Sequence, residues 1–231
     1  RSSPGKILVI GNYRPGVQST LDFDYLSGKN EPSIAGIVSA AGRYQKFFWG
    51  EQEILIPCYA DMSAAKNNLT KVEWMFNVSS GRRARQTTTE FFDKFPDATG
   101  GHIFAEDVPE THAIDLYETY QQNGKTLVGT AGVGIIVPGF LKLGVIGGVD
   151  WHQLSQNHLD APGNVAVLSA SGGMVNEIIT MVAKSNHLIS FGLCFGGDRF
   201  PLTTPSEAFK AAQNDPNTTH IVYYGELGGD E

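Results

Sequence analysis

Cysteine is scarce: Cys58 and Cys194 are the only two, far apart and each in an apolar stretch. One pair is too few for a disulfide framework, so two buried free thiols in a reducing compartment, the cytoplasm by default, are expected. No Cys/His spacing suits a metal ion, and no metal is expected. Charge is also sparse. Only 18% of residues are charged, and 24 acids outnumber 17 Lys+Arg for a formal net charge of -7. That balance works against a nucleic-acid partner, although a local basic cluster can still hold an anion. Long apolar runs are missing too: glycine interrupts each one well short of about 20 residues, so no membrane span is expected. The start has no secretory pattern, because Lys6 leads into a short apolar run that ends in glycine.

Glycine is what the sequence has in excess, with 27 of 231 residues. It falls in loops and runs without a repeat, which excludes a collagen-like chain and points to backbone approached closely by something. Hydrophobic residues are 41% of a length that suits one large domain or two modest ones.

Lys6 opens the run 6–10, whose residues 7–10 are continuously apolar and closed by Gly11, the pattern of a buried parallel strand. Further strands are expected at 33–38, 45–49, 54–57, 72–78, 102–106 and 126–128. Helices are expected at 61–69, with Asp61 as cap, at 82–95 and at 110–123. The alternation predicts a parallel sheet with helices on both faces, running to about residue 160. The polar, turn-rich stretch 157–163 marks the expected domain boundary. A second series follows, with strands at 164–168, 188–195 and 220–224. Helices are expected at 174–185 and 204–212, the latter opened by a Thr204/Glu207 capping box. With three strands and about 70 residues, this second unit reads as incomplete, and the sequence stops in a glycine-rich loop.

Polar loops follow several of these strands. Gly11-Asn12-Tyr13-Arg14-Pro15-Gly16 puts glycines and an arginine where open α/β sheets bind ligands, but it is not G-x-G-x-x-G. A phosphate site and a plain turn with a surface arginine both fit. Residues 105–110 carry acids at a helix start, where simple capping accounts for them. The glycine-dense run 129–139 fits close approach by a ligand or a partner backbone, or a tight linker. Ser169-Ala170-Ser171-Gly172-Gly173 opens a helix with hydroxyls and bare N–H groups, an anion-binding arrangement. No nucleophile-elbow spacing accompanies it. Residues 196–201 and Glu226 follow the next two strands, so three strand-end loops are expected to converge on one rim. Arg82, Arg83 and Arg85 form a small basic cluster at a helix start. It reads as a solvated face or as an anion contact. None of the six histidines sits in a pattern that marks a catalyst.

In order and spacing these segments resemble the acyl-CoA synthetase (nucleoside-diphosphate-forming) superfamily. They are similar to the succinyl-CoA synthetase alpha subunit and, more closely, to the central region of the ATP-citrate lyase family. The segments are 11–18, Leu21-Asp22-Phe23-Asp24-Tyr25, Phe48-Trp49-Gly50, 53–57, 106–110, 129–139, 169–177, 196–201 and 225–231. Residues 21–25 and 48–50, with Lys142-Leu143-Gly144 followed by Gly147-Gly148, favour the citrate lyase branch.

The resemblance implies an α/β fold: a Rossmann-like CoA-binding domain at 1–158, then an incomplete flavodoxin-like ligase domain at 159–231. The latter would be truncated before the phosphohistidine loop. The nucleotide of CoA would lie over Gly11, Asn12, Arg14, Gly16 and Gln18. Ser39, Tyr44, Lys46 and Phe48 would line its path. Glu106, Asp107, Val108, Pro109, Thr130 and Ala131 would border the pantetheine and thiol. Ser169, Ser171, Gly172 and Gly173 would receive the phosphate of a phosphohistidine, with Asp198 and Arg199 beside it. Glu226 would be the catalytic glutamate that orients the histidine. The implied activity is ATP-dependent formation of citryl-CoA through that phosphohistidine, leading to acetyl-CoA and oxaloacetate. ATP and Mg2+ would act through an ATP-grasp domain or subunit outside this sequence, in an oligomeric parent enzyme. A succinyl-CoA-type ligase and a non-catalytic CoA-binding relative are the alternatives. The chain alone is expected to bind CoA weakly and to make no acyl-CoA. Three positions depart from the family pattern: Ala170 for an arginine, and Leu202 and Asp107 for glycines.

Overall fold

The computed structural model describes residues 5–40 and 42–225. It contains two open sheets with helices packed on them. The larger has seven strands in the order β3-β4-β2-β1-β5-β6-β7. These are β1 (Ile7–Ile10), β2 (Ile34–Val38), β3 (Tyr44–Trp49), β4 (Gln52–Tyr59), β5 (Trp74–Asn77), β6 (Gly100–Ile103) and β7 (Thr126–Val128). All pairs are parallel except β3 against β4, the hairpin anticipated around residue 50. The connecting helices are α1 (Arg14–Leu26), α2 (Met62–Asn68), α3 (Gly81–Lys94) and α4 (Glu110–Leu116). A π-helical turn, Tyr117–Gln121, continues α4.

The first strand explains how this sheet is sandwiched. All four residues of β1 are buried, and alternate side chains enter different cores. Ile7 and Val9 join Val17 and Leu21 of α1. Leu8 and Ile10 join Met62, Phe91 and Phe92 from α2 and α3. A strand buried on both faces has to be apolar throughout, which is why residues 7–10 show no polar alternation.

The second sheet has five strands, β12-β10-β11-β8-β9. Three are those the sequence predicts: β10 (Val165–Ser169), β11 (Ile189–Cys194) and β12 (His220–Tyr224), all parallel. The other two, β8 (Gly134–Val137) and β9 (Leu141–Gly144), form a hairpin antiparallel to β11. Two corrections follow. The second sheet has five strands, not three. The parallel alternation of the first sheet ends at Val128, not near residue 160. The glycine-dense run concealed the hairpin. Its glycines admit backbone rather than a ligand: a Cβ on Gly134 would lie 1.9 Å from the Leu143 carbonyl oxygen, and one on Gly144 2.2 Å from that of Val133. The hairpin also ties the sheets together, since Leu141 and Leu143 pack into the core beneath α1.

Helices α5 (Trp151–Gln156), α6 (Gly172–Lys184) and α7 (Pro205–Asn214) complete the fold. Thr204 and Glu207 form the anticipated capping box, and Asp61 caps α2 through the Ala64 N–H. Cys58 and Cys194 are buried, and neither forms a disulfide. No helix among the described residues is long and apolar enough to cross a membrane, and no cluster of metal-ligating side chains occurs among them.

An ionic contact lies buried between α1 and the hairpin. Asp24 is fully buried and accepts from Lys29 Nζ at 2.5 Å, from the Ser33 hydroxyl at 2.6 Å and from the Ser33 N–H at 2.8 Å. Lys142 on β9 is 1% exposed and donates to the Gly144 carbonyl at 2.6 Å. Burial pushes its ammonium down to about 7, while Asp22 and Asp24 pull the other way.

Candidate functional site

The order of the first sheet reverses at β1, with β2 on one side and β5 on the other. A crevice opens where the loops leaving two such strands diverge. It holds about 380 Å³ here and is lined by Gly11, Ser39, Asp61, Ser79, Ser80 and Arg83, among others. Gly11 has φ +98°, and a Cβ there would press on Val78 at 3.0 Å. Asn77, fully buried, shapes the opposite lip. Its carboxamide oxygen accepts from the Ser79 N–H at 3.0 Å and hydroxyl at 2.7 Å, and its Nδ2 donates to Thr87 at 2.8 Å. That network turns 79–80 into the start of α3, where exposed Arg83 faces the crevice. Of the three clustered arginines, Arg83 lines it. Arg85 pairs with Asp115 at 2.6 Å. The Asn77-Val78-Ser79-Ser80-Gly81 run was the available sequence signal for this lip.

Other expected CoA residues are drawn together differently. Arg14 donates to the Lys46 carbonyl at 2.7 Å and to Gln45 at 3.3 Å, and lies 4.6 Å over the Phe47 ring. One turn on, Gln18 donates to the Phe48 carbonyl and accepts from the Phe48 N–H, both at 3.0 Å. Two residues on one face of α1 thus clamp β3. Tyr44, Lys46 and Phe48 lie on the exposed face of that strand, and Lys46 pairs with Glu53 at 3.0 Å. Asn12 is exposed. Gly16 is buried where a Cβ would meet Phe76 at 2.9 Å, so it lets α1 sit close on the sheet.

Beyond β6, Glu106, Asp107 and Pro109 are exposed and Val108 is buried. Asp107 has φ +55°. It stands in for a family glycine at a left-handed position, which aspartate tolerates better than most residues. The next loop crosses to the second sheet. Thr130 is fully buried and its hydroxyl donates to Asp198. Ala131, φ +55°, donates its N–H to the Ala105 carbonyl at 2.9 Å. His102 holds this loop from below: its Nε2 lies 2.9 Å from the Gly132 carbonyl, and its ring stacks on Phe76. Burial lowers its pKa to about 4, so it stays neutral there.

On the second sheet, Ser169 pairs in register with Cys194 and with Tyr224, so β10, β11 and β12 end level. Their loops leave from one rim. Ser169 is buried and its hydroxyl is tied to the Ser171 backbone at 2.9 and 3.0 Å. Ser171 caps α6, accepting from the Met174 N–H. Gly172 backs onto Val133, whereas a Cβ on Gly173 would meet nothing within 4 Å. Ala170 is buried against Val128 and Phe195. Arg199 is exposed and lies over the Phe200 ring at 5.5 Å. Leu202, where the family has glycine, is fully buried and donates its N–H to the Gly129 carbonyl at 2.6 Å. Glu226 lies outside the described residues.

The arrangement offers an arginine-lined crevice on one sheet and, on the other, a helix start with uncovered N–H groups. Thr130 and Asp198 link the loops between the sheets.

No protein-family model matches the chain. It is 36% identical over 228 residues to the ATP-citrate synthase of Mus musculus, covering 98% of this chain and 21% of that protein. It is 35% identical over 232 residues to the probable ATP-citrate synthase subunit 1 of Schizosaccharomyces pombe, covering 100% of this chain and 37% of that protein. Its fold matches an ATP citrate lyase mutant from Methanosaeta concilii, solved in complex with (3S)-citryl-CoA. That match has a TM-score of 0.91 and 30% identity, over 98% of this chain and 36% of that one. A dinucleotide-forming acetyl-coenzyme A synthetase of Ca. Korarchaeum cryptofilum shares the fold at 16% identity and a TM-score of 0.67. The chain spans from 21% to 44% of these relatives' length. Over nearly all of its own length, the chain matches part of the ATP-citrate lyase family.

Proposed function

We propose that this chain is the part of an ATP-citrate lyase that binds CoA and presents it to a phosphohistidine-fed ligase site, contributing to ATP-dependent citryl-CoA formation. The observation that carries the proposal is the match across 98% of the chain to a lyase solved with (3S)-citryl-CoA. In this reading 1–158 is a Rossmann-like CoA-binding unit and 159–231 the beginning of a flavodoxin-like ligase unit. The β8–β9 hairpin reaches from the first onto the sheet of the second. The parent works in the cytoplasm as an oligomer with an ATP-grasp partner, which supplies ATP and Mg2+ chemistry.

The residues fit a nucleotide thioester carrier. Arg83 at the crevice gives one charge-assisted contact to phosphate, and the start of α3 adds N–H donors. The crevice walls also carry Asp61 and Glu90, which select for an orientation that turns the phosphates toward Arg83. At the second rim, the N–H groups of Gly172 and Gly173 hold the phosphate of the phosphohistidine without the family's arginine, whose place Ala170 takes. Arg199 is the exposed cation of that rim and neutralises part of its charge. Asp198 is held by Thr130, so phosphate and thioester arrive on joined loops.

Calorimetry of the chain with CoA tests the proposal. Saturable binding is expected in the millimolar range or tighter, with no acyl-CoA made when ATP and citrate are added. Arg83→Ala is expected to weaken binding about tenfold without changing stability, because the side chain is exposed. A response that never saturates, or an Arg83 variant that binds like the parent, overturns the placement of CoA in the crevice.

A further inference from the structure

At the opposite edge of the first sheet, where β3 ends and β4 begins, three aromatic rings surround a recess of about 630 Å³. Tyr25 comes from the last turn of α1, Trp49 from the end of β3 and Trp151 from the start of α5. The Tyr25 and Trp49 rings stand edge to face at 5.8 Å and 89°, and the Tyr25 and Trp151 rings lie 5.9 Å apart at 47°. Gly50 and Gln52 complete the floor, and Glu51 is the one charged side chain in the lining. The recess is built rather than incidental. Gly50 turns the hairpin at φ +59°, and a Cβ there would lie 2.5 Å from the Tyr25 ring, so only glycine lets that ring close the wall. Yet Tyr25 stays 43% exposed and Trp151 37% exposed, a cost in apolar surface that the core does not recover.

We propose that this recess is a binding site for an organic cation, an alkylammonium or guanidinium head group. Rings set at 47° and 89° make a box, not the parallel slot a nucleobase needs. All three rings line the recess, and the π face of an aromatic ring attracts a positive centre. Glu51 at the lip adds the one full charge, and it is negative. The site is separate from the strand-end crevice, which lies at the carboxyl edge of the same sheet.

Tryptophan fluorescence of the full chain tests this, because Trp49 and Trp151 line the recess while Trp74, on β5, does not. Choline is titrated against 3,3-dimethylbutanol, which has the same shape without the charge, and acetyl-arginine amide forms a third arm. Choline or the arginine amide is expected to saturate at least about tenfold tighter than the neutral alcohol. The tighter of the two cations identifies the head group. Trp151→Ala is expected to weaken the cation about fivefold, and Glu51→Gln about twofold, more at low salt. Equal saturation by the neutral alcohol overturns the proposal, as does an unsaturating response to both cations. Glu51→Gln, on an exposed turn, and the isostere comparison in the unaltered chain decide the matter even where Trp151→Ala fails to fold.

Discussion

The Thr130 hydroxyl donates to the Asp198 carboxylate across 68 positions of sequence, joining the loop after β7 to the loop after β11. Thr130 has no exposed surface, so this contact forms within the packed junction of the sheets. Around it the loops meet backbone to backbone. A Cβ on Gly132 would come 2.6 Å from the Cys194 carbonyl oxygen. Thr130→Val keeps the shape and removes the donor, leaving a carboxylate without its partner. A loss of about 1–3 kcal/mol is expected in urea denaturation, because the hydrogen bond has an ionised acceptor. Asp198→Asn retains an acceptor and is expected to lose less. Equal stability of the Thr130 variant and the parent counts against a structural role for this bond.

Gly196 is the second point where these loops touch. Its φ is +91°, and a Cβ would lie 2.0 Å from the Thr130 carbonyl oxygen, which is backbone and has no room to yield. Gly196→Ala is expected to cost about 3 kcal/mol or more. Gly124 has φ +84° but nothing within 4 Å, so Gly124→Ala isolates the conformational part, about 1–2 kcal/mol. Similar midpoint shifts for the two variants in thermal melts contradict the close approach.

Much of this was legible in the sequence, for local reasons. Residues 7–10, 126–128 and 220–224 are strands because runs of that composition closed by turns have few alternatives. The Asp61 and Thr204 caps follow from side-chain chemistry alone. Illegible parts depend on distant partners. The β8–β9 hairpin is glycine-bordered and reads as loop until β11 supplies the strand it pairs with. The seats of Arg14 and Gln18 are set by β3, some thirty residues downstream. For the candidate site, three level strand ends were foreseen. The crevice residues Asn77, Ser79 and Asp61 were not, because their roles arise only when β4, β2, β1 and β5 lie side by side.

Lys142 makes stability depend on pH in a stated direction. Its ammonium ordinarily titrates at 10.5 and is pushed down to about 7 by burial in the fold. Between those values the unfolded chain holds more protons than the folded one, so stability rises with pH. Below about 7 both states are protonated and the penalty is constant. Urea titrations at pH 7, 8 and 9 are expected to show a rise of up to about 1.4 kcal/mol per unit in the parent. Lys142→Met, which keeps the volume, is expected to lack that rise. His102 does not confuse the reading, because its window runs from its ordinary 6.5 down to about 4. Parallel curves for parent and variant rule out Lys142 as the source.

Gly173 separates structural from functional demand for glycine. It is the second residue of α6, just past the Ser171 cap; its φ is not positive and a Cβ would meet nothing within 4 Å. Folding therefore gives no reason for glycine there, and alanine is the better helix former by up to about 1 kcal/mol. Gly173→Ala is expected to leave stability unchanged or raise it. An anion held on the first N–H groups of α6 comes within reach of the new methyl group, so the variant is expected to bind inorganic phosphate more weakly. Amide shifts of Gly172, residue 173 and Met174 during a phosphate titration give the comparison. Matching shifts and affinities in parent and variant remove the helix start from the phosphate site and leave Arg199 as its remaining cation.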